Sequence, residues 1–488
     1  MSFRGYSLVL VAMVPVYLGI AALLPPFDDE LYYWCWSREL QLSYYDHPPM
    51  VAYLIRGATE LFGDSVAALR LPAVFSATVV AAVVGWLSRP RDLLPMVLLT
   101  PMLTFAAVMV TPDTPLLMFW ALYLAWLVAV HERLEPRVPA WLWLLGGVIL
   151  GCGVLGKYTM GLAAVAGGLS FLVAGNWRRW LPGYSLHAAV SVLVASPILI
   201  HNIRHDFVPI RYQWGHSMGS PAPGFEPFAE FVGVQVLFLG TIPFVVFVWA
   251  LWHRWRLLAD ARLRVCLFLF AVPFAFFLWK ATRGRIEGNW AFPCYLACWP
   301  LAAEWYRGVR ESARWRWATR AGFAIPLGAS VFLLVHAVQP VGFFPVKADR
   351  VTRQRARLEV GRALAADLRS AGYNGPVHVP TYQWAAALRW HGIDARQIAG
   401  LTRASHFTQN GAGAVAPALV FTEAPDTPAE FPRLGAPRSA ARYPVIVRGV
   451  AHEPCWLLDY TGGAAAPPRE TDVAGRPHLD RHPPRSPR

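Results

Sequence analysis

Residues 7–24, SLVLVAMVPVYLGIAALL, form an apolar run, and residues 27–34, FDDELYYW, follow it with three consecutive acids. The chain of 488 residues is 56% hydrophobic and only 15% charged. Soluble domains carry about 25% charged residues, so this composition predicts a polytopic membrane protein. Carboxylates beside a membrane are costly unless they have a function. The acidic block at 28–30 is therefore the first place to search for chemistry.

Apolar windows long enough to cross a bilayer recur through residues 1–340. A helix needs about 20 mostly apolar residues to span the hydrocarbon core. The sequence predicts an all-α polytopic bundle of about eleven such helices, near residues 7–24, 66–87, 93–110, 115–130, 139–156, 158–175, 184–201, 229–252, 264–280, 290–303 and 321–338. The first run lacks a small-residue cleavage site and precedes Pro25 and Pro26, which favours an uncleaved span over a signal peptide.

The basic residues between the spans predict the orientation. With the N-terminus in the cytoplasm, the cytoplasmic segments carry most of the Lys and Arg, as the positive-inside rule requires. The acidic block then faces the outside, and an odd number of spans leaves the C-terminus there too. We expect a cell (inner) membrane protein with its active site and C-terminal domain in the periplasm. The net charge of +14 comes from these loops and a basic tail, so nucleic acid is not an expected partner.

The composition changes near residue 345. An amphipathic, Arg-rich pattern predicts one helix at Val346–Ser370, and Tyr382–Trp390 predicts another. Short β-like runs are found at Val377–Val379, Ala418–Thr422 and Tyr443–Val447. We therefore predict a transmembrane domain over 1–340 with a large first external loop at 25–65, and a small α/β domain over 345–462. The Pro- and Arg-rich segment 463–488 is predicted to be disordered.

The first external loop, 25–65, combines acids with Tyr and Trp. These aromatic residues suit a membrane interface and predict an amphipathic helix at Glu30–Leu40. A carboxylate at a low-dielectric surface can have its pKa raised toward the range of a general base. Asp29 and Asp46 are the favoured functional acids of this loop, whereas capping the helix is the favoured role of Asp28.

Two further charged residues lie at external turns. Asp113, in a Thr-Pro-Asp-Thr-Pro turn, begins a span, where it either complements the helix dipole or contributes to a site. Lys157 lies inside an almost wholly apolar stretch. It either extends to the interface or holds an anionic phosphate. Arg56 and Arg70 are candidates for the same anion site or for positioning the loop carboxylates.

A third external turn carries Arg283, Arg285 and Asn289, which could hold a phosphate, a pyrophosphate or a sugar, although a plain charged loop would look the same. No Cys-x-x-Cys pair occurs. His201 and His205 are spaced for one helical face, but no third ligand is recognisable. The sequence thus indicates no certain cofactor, and the carboxylates leave a divalent metal ion possible.

Several of these segments together resemble the bacterial glycosyltransferase family 39, relatives of protein O-mannosyltransferases and of the lipid A aminoarabinose transferase in the GT-C superfamily. The resemblance covers about residues 25–300 and rests on Asp28-Asp29-Glu30 with Tyr-Tyr-Trp, Tyr45-Asp46-His47-Pro48-Pro49, Leu61-Phe62-Gly63-Asp64-Ser65, Arg70-Leu71-Pro72, Thr111-Pro112-Asp113-Thr114-Pro115 and Gly156-Lys157-Tyr158.

The resemblance implies a helical bundle whose first external loop bears the catalytic acid. It also implies a polyprenyl-phosphate sugar donor, transfer with inversion, and an extracytoplasmic acceptor, which is lipid A, a glycan, a lipid or a protein. Asp29 matches the catalytic acid, and Asp113 and Lys157 match a further acid and a phosphate-side lysine. Asp46-His47 stands where the aminoarabinose transferase has Glu-Lys, and a neutral histidine is a weaker phosphate partner.

We therefore expect Asp29 to act as base, with Asp46 and Asp113 as further catalytic-site acids. The expected substrate- and phosphate-binding residues are Glu30, His47, Arg56, Lys157, Tyr158, Arg283, Arg285 and Asn289. The main alternative is a transporter or flippase for a lipid-linked or anionic solute, and a third is a non-enzymatic membrane scaffold. Against transport, the acids cluster in one external loop and no inverted repeat is visible.

Overall fold

A computed structural model describes residues 3–134, 138–218, 224–341, 349–409, 419–423, 437–447, 450–451 and 453–460. The chain forms two compact units. The helical unit comprises Met1–Leu24 and Trp36–Val338, and the α/β unit comprises Pro25–Cys35 and Gln339–Arg488. The loop 25–65 therefore contributes to both units. The predicted disordered segment 463–488 lies outside the described residues.

Helices make up most of the described chain as far as residue 338. They are α1 (Phe3–Leu23), α2 (Asp28–Arg38), α3 (Met50–Phe62), α4 (Val66–Leu87), α5 (Leu94–Leu98), α6 (Pro101–Val108), α7 (Asp113–His131), α8 (Ala140–Gly156), α9 (Met160–Ala174), α10 (Trp177–Arg204), α11 (Val208–Met218), α12 (Phe225–Leu239), α13 (Ile242–Trp252), α14 (Arg254–Ala259), α15 (Ala261–Ala281), α16 (Phe292–Val309), α17 (Ala313–Gly322) and α18 (Ala324–Val338). A short 3-10 helix, Gly288–Ala291, precedes α16.

Among the described residues, six helical stretches are long and apolar enough to cross a membrane: Arg4–Leu23, Val66–Leu87, Asp113–His131, Trp177–Arg204, Ala261–Ala281 and Ala313–Val338. One bent pair, α12 with α13, would make a seventh. The helices α8 and α9 are apolar but shorter. Every predicted span coincides with helix, which confirms the polytopic helical bundle, whereas the number of eleven membrane crossings stays a prediction.

Two predicted spans are not single straight helices. The prediction for 93–110 was wrong in this respect, because α5 and α6 are separate. Pro101 begins α6, and a residue before proline is disfavoured in helical backbone, so Thr100 is extended with φ −68° and ψ 150°. The predicted span 229–252 is bent by 104° between α12 and α13. Gly240 ends α12 with φ +79°, a left-handed conformation that glycine adopts at no steric cost.

Small residues let the helices of the bundle pack closely. A Cβ on Gly147 of α8 would lie 2.6 Å from the carbonyl O of His187 in α10, and one on Gly151 would lie 2.6 Å from Cβ of Val194. Such small residues allow helices to associate where lipid provides no hydrophobic drive. The close contact fixes α8, whose C-terminal end leads directly to Lys157.

The described part of the α/β unit beyond α2 contains α19 (Arg350–Ser370), β1 (Val377–Val379), α20 (Tyr382–Trp390), β2 (Ala395–Gln397), α21 (His406–Gln409), β3 (Leu419–Thr422), β4 (Ser439–Tyr443), β5 (Ile446–Val447), β6 (Val450–Ala451) and β7 (Cys455–Asp459). The main sheet has the order β2-β1-β3-β7-β4. Strands β1, β2 and β3 are parallel, while β7 runs antiparallel to β3 and β4. Strands β5 and β6 form a separate hairpin.

This unit confirms the prediction of a small α/β region after the bundle. The predicted strand 377–379 and helix 382–390 have the bounds of β1 and α20. Its core is formed where α19 and α20 cover the sheet, with Leu364, Trp384 and Phe421 buried together. The structure also contains elements that were not predicted, namely α3, α11, α14, α17, α21, β2, β6 and β7. The predicted strand Tyr443–Val447 was wrong, because β4 ends at Tyr443 and Ile446–Val447 belongs to a separate hairpin.

Candidate active site

The first turn of α2 carries three consecutive acids with three different partners. Glu30 is fully buried, and its Oε2 accepts a hydrogen bond from the backbone N of Phe27 at 2.9 Å. This bond satisfies a backbone donor just before the helix, as the glutamate of a capping box does. Glu30 therefore has a structural task at the start of α2, and its predicted role in substrate binding remains untested.

Asp28 forms an ion pair with Arg357 of α19. The guanidinium also lies 3.4 Å from Oε1 of Glu423 and 4.9 Å from the ring centre of Trp384. Burial opposes the charge of Arg357, but the carboxylates of Asp28 and Glu423 outweigh this effect and raise the pKa of the guanidinium. Asp28 thus helps to compensate a buried cation, which agrees with a structural role for this acid.

Asp29 is bound by a tyrosine from the same α/β unit. The hydroxyl of Tyr382, the first residue of α20, donates to Oδ1 of Asp29 at 3.0 Å. Burial and the nearby Asp29 charge raise the pKa of Tyr382, so this hydroxyl keeps its proton at physiological pH. The guanidinium of Arg403 lies 4.3 Å from the centre of the tyrosine ring.

Aromatic contacts fix the segment that carries these acids. The ring centre of Tyr32 lies 4.6 Å from that of Tyr382 and 5.2 Å from that of Phe407. The backbone N of His406 donates to the Tyr32 hydroxyl at 2.7 Å. Further along α2, Trp34 meets Trp390 edge-on at 4.9 Å. The aromatic content that predicted an interfacial helix here packs the start of α2 onto α20 and α21 of its own unit.

In the helical unit, three predicted residues form a buried group. Lys157 Nζ donates to Oδ1 of Asp113 at 2.7 Å, and Nδ2 of Asn289 donates to Oδ2 of the same carboxylate at 2.6 Å. Asp113 begins α7, Lys157 follows α8 in extended backbone, and Asn289 belongs to the 3-10 helix. Asp113 and Lys157 are each less than 10% exposed, and Asn289 at their side is partly buried. We call these three residues the buried trio.

Backbone packing brings the members of the buried trio together. A Cβ on Gly156 would lie 3.1 Å from the backbone N of Leu116, so glycine lets the end of α8 approach the start of α7. The 3-10 helix is held by Gln235 of α12, whose Nε2 donates to the Gly288 carbonyl at 3.0 Å. The hydroxyl of the fully buried Tyr295 donates to Oε1 of Gln235 at 2.9 Å.

Asp46 and His47 lie in a separate, tightly folded turn of the helical unit. Asp46 is buried, and its backbone carbonyl accepts from Nε2 of Gln213 in α11. The backbone N of Tyr44 donates to the His47 carbonyl at 3.2 Å, and the Tyr44 ring stacks on Trp36 at 4.3 Å. These contacts fix the backbone at this motif, while the chemical roles of Asp46 and His47 stay predictions.

The other predicted cations have local partners. Arg56 pairs with Glu60 on its own helix, and Arg285, which is largely exposed, pairs with Glu230 at 2.8 Å. Arg283 lies 5.9 Å from the ring centre of Trp279. Tyr158 is half-buried directly after Lys157. None of these contacts includes a member of the buried trio, and the predicted binding roles of these four residues are untested.

Arg70 has a structural role. It is fully buried, and its Nη1 donates to the carbonyls of Ala21 at 2.7 Å and Leu24 at 2.9 Å. These carbonyls belong to the end of α1, where the last turn leaves acceptors without helical partners. The structure therefore favours a helix-capping role for Arg70 over the anion site suggested from the sequence.

No metal site is apparent in the part of the chain that the structure describes, since no group of three or more His, Cys, Asp and Glu residues is close enough to hold an ion. The rings of His201 and His205 stack on each other at 4.0 Å. Nδ1 of His205 contacts the carbonyl O of His201 at 2.8 Å. A divalent ion stays a prediction from the carboxylate content alone.

Sequence reasoning missed the residues that support the acids. Tyr382 and Arg357 lie more than 300 positions from the residues they bind, outside every motif. Gln213 lies among other polar residues of α11, whereas Gln235 is a buried polar residue in the apolar second half of α12. The polar Gln235 within this apolar run was the available signal, because a buried amide needs partners.

Comparisons with known proteins agree with this architecture. Residues 46–201 match the family model described as dolichyl-phosphate-mannose-protein mannosyltransferase. The lipid A galacturonosyltransferase RgtD of Rhizobium johnstonii is 29% identical over 370 residues, which are 71% of this chain and 73% of that protein.

Two solved structures share the fold. The apo crystal structure of ArnT from Cupriavidus metallidurans superposes with a TM-score of 0.62 at 16% identity, covering 95% of this chain and 99% of that one. Its complex with undecaprenyl phosphate gives a TM-score of 0.65 at 15% identity, covering 96% and 100%. With the family model and the Rhizobium relative, they confirm the resemblance noted in the sequence: the chain is a multi-pass membrane glycosyltransferase that shares the fold of ArnT.

Proposed function

We propose that this enzyme transfers a sugar from a polyprenyl-phosphate donor to a lipid acceptor, with inversion at the anomeric carbon. A relative whose name specifies transfer to lipid A, and a fold neighbour that binds undecaprenyl phosphate, support these substrate classes. The bias of basic residues supports an N-terminus in the cytoplasm and an active site on the periplasmic side of the inner membrane.

The observation that carries the proposal is the buried trio. Buried charges are expensive, and membrane proteins keep them mainly for function. An ammonium has three N–H donors, and Asp113 accepts one of those of Lys157 at 2.7 Å. The pair and Asn289 therefore hold the ammonium in one orientation, in which its other N–H groups are available to phosphate oxygens.

The reaction needs a base and a stabilised leaving group. Asp29 takes the proton of the acceptor hydroxyl, and the acceptor oxygen attacks the anomeric carbon from the side opposite the phosphate. The bond between that carbon and the phosphate oxygen breaks, and its electron pair stays on the phosphate. Lys157 stabilises the new charge. Asp46 and Asp113 position substrate and cation, and a protonated His47 adds positive charge.

The test is direct transfer by the purified protein. We would supply undecaprenyl phosphate carrying radiolabelled galacturonic acid, aminoarabinose or mannose, with lipid A as acceptor, and follow label in the acceptor and free undecaprenyl phosphate. We expect one donor to be consumed and an equal amount of glycosylated lipid to form, with the configuration at the anomeric carbon inverted. Movement of intact donor across liposomes without bond cleavage would instead support the flippase alternative.

A further inference from the structure

The hydrogen bond between Tyr382 and Asp29 joins positions 353 residues apart in the chain. It connects the acid of the first external loop with a helix of the C-terminal region, and both residues belong to the α/β unit. The bond to Asp29 points to a task for Tyr382, a side chain of the C-terminal region, in the transfer reaction.

Tyr382 is held rigidly. It opens α20, whose N-cap is Thr381, and the Thr381 hydroxyl accepts from the backbone N of Trp384 at 3.4 Å. The buried Trp384 and Leu388 anchor α20 in the core beside the sheet. Tyr382 itself is only 8% exposed. A hydroxyl on such a support can fix a partner more accurately than one on a mobile loop.

Arg403 strengthens the Tyr382 hydroxyl as a donor against the effect of burial. Its guanidinium lies 4.3 Å from the ring centre, and while burial raises the pKa of Tyr382, this positive charge lowers it. Tyr32, three residues after Asp29, packs its ring 4.6 Å from that of Tyr382. The same tyrosine thus supports the start of α2 through its ring and the Asp29 carboxylate through its hydroxyl.

We propose that Tyr382 is a positioning residue that orients the Asp29 carboxylate, within the same unit, for proton abstraction. This inference rests on the proposed role of Asp29 as base. The bond from Tyr382 to Oδ1 restricts the rotation of the Asp29 carboxylate and so fixes the orientation in which it takes the proton. It also stabilises the ionised carboxylate, because a hydrogen bond to the charged form favours that form. Tyr382 keeps its own proton throughout.

The test uses Tyr382→Phe in the full-length protein, because this change removes the hydroxyl and keeps the ring against Tyr32. With undecaprenyl phosphate carrying the sugar that the wild type turns over, kcat should fall about 10- to 100-fold, the size expected for a misplaced catalytic group. The donor KM should stay unchanged. The acidic limb of the pH–rate profile should move to higher pH, since Asp29 loses a bond that favours its ionised form.

Tyr443→Phe is the matched control. The Tyr443 hydroxyl donates to Oδ2 of Asp367 at 3.1 Å, so this variant deletes another tyrosine–aspartate bond in the same unit, away from Asp29. It should leave kcat and the pH profile as in the wild type. If thermal unfolding shows that Tyr382→Phe does not fold, Arg403→Met replaces it. That variant should move the acidic limb in the same direction by a smaller amount.

A Tyr382→Phe enzyme that folds and keeps the wild-type kcat and pH profile would overturn the inference. If Arg403→Met is used instead, a folded variant whose acidic limb lies at the wild-type pH would also overturn the inference. Asp29→Asn separates this failure from that of the proposed function. If Asp29→Asn is inactive while Tyr382→Phe is normal, only the inference fails, whereas an active Asp29→Asn enzyme removes the basis of both.

Discussion

Lys157 and Asp113 form a buried ion pair, with Nζ 2.7 Å from Oδ1, between the end of one apolar helix and the start of another. Breaking such a pair by removing one partner costs about 3–5 kcal/mol when the remaining charge is buried, whereas removing both costs much less. Since Asn289 occupies the second carboxylate oxygen, the pair also fixes the 3-10 helix.

The first prediction uses this asymmetry. Lys157→Met and Asp113→Asn should each lower the thermal unfolding temperature and the transfer activity. The double variant should recover stability relative to Lys157→Met, because no unpaired charge stays buried. It should remain inactive, because the phosphate has lost its cation. Unfolding scans in detergent and transfer assays on the four proteins measure both effects. Full activity in the double variant would show that the pair is only structural.

The second prediction concerns Gly288, beside Asn289. A Cβ on Gly288 would lie 2.3 Å from Cγ1 of Val234, a stiff β-branched side chain. Gly288→Ala should therefore displace the 3-10 helix and with it Asn289, at a cost of about 1–3 kcal/mol in stability and roughly tenfold or more in kcat.

Gly233→Ala is the control for this change, because Gly233 precedes Val234 in α12 and a Cβ there meets nothing within 4 Å. Alanine is favoured over glycine in a helix, so this variant should be as active and at least as stable as the wild type. Equal kcat values for Gly288→Ala and Gly233→Ala would argue against a role for the 3-10 helix.

The third prediction is a loss of stability of the α/β unit in acid. Burial lowers the pKa of His378 and of His391, and nearby Arg396 and Arg362 respectively lower it further. The folded unit thus prefers both rings neutral, while in the unfolded chain they bind protons near their ordinary pKa of about 6.5. Their contribution to stability is therefore complete above this pH and falls as the pH decreases below it.

Limited proteolysis of the full-length protein between pH 8 and pH 5 measures this effect, with mass spectrometry to locate cleavage within residues 349–460. Cleavage there should increase below about pH 6.5. The increase should be smaller in a His378→Gln, His391→Gln double variant. Proteolysis that is independent of pH in the wild type, or identical in the double variant, would contradict the assignment to these histidines.

The sequence predicted local structure well where one pattern dominates. The helix Tyr382–Trp390 and the strand Val377–Val379 were predicted with their observed bounds, because each is short and bounded by turn residues. The predicted span 229–252 failed at its centre, where Gly240 adopts a left-handed conformation that hydropathy does not register.

In the candidate site, too, the sequence identified single residues but not all of their tertiary contacts. Asp113, Lys157 and Asn289 were selected one by one, because each is a polar residue at the end of an apolar segment. The resemblance placed Asp113 and Lys157 in one site, but the contact of Asn289 with Asp113 could not be predicted, since these two residues are 176 positions apart and only tertiary packing joins them. Tyr382 carried no signal, because one tyrosine at a helix start is ordinary until its partner is known.

The central claim is that Asp29, and not its neighbour, is the base. Both acids lie in the first turn of α2, but Asp28 is paired with Arg357, which keeps Glu423 as a second partner. Asp28→Asn and Asp29→Asn are the same isosteric change at adjacent positions, so they differ only in which carboxylate is lost.

The decisive measurement compares these two variants for transfer from undecaprenyl-phosphate sugar to lipid A, at equal amounts of folded protein. We predict that Asp29→Asn lowers kcat by about 100- to 10,000-fold, the usual contribution of a general base, with little change in donor binding. Asp28→Asn should retain activity within about tenfold, because it removes no reacting group and Arg357 keeps Glu423 as a partner. Turnover by Asp29→Asn equal to that of Asp28→Asn would contradict the account.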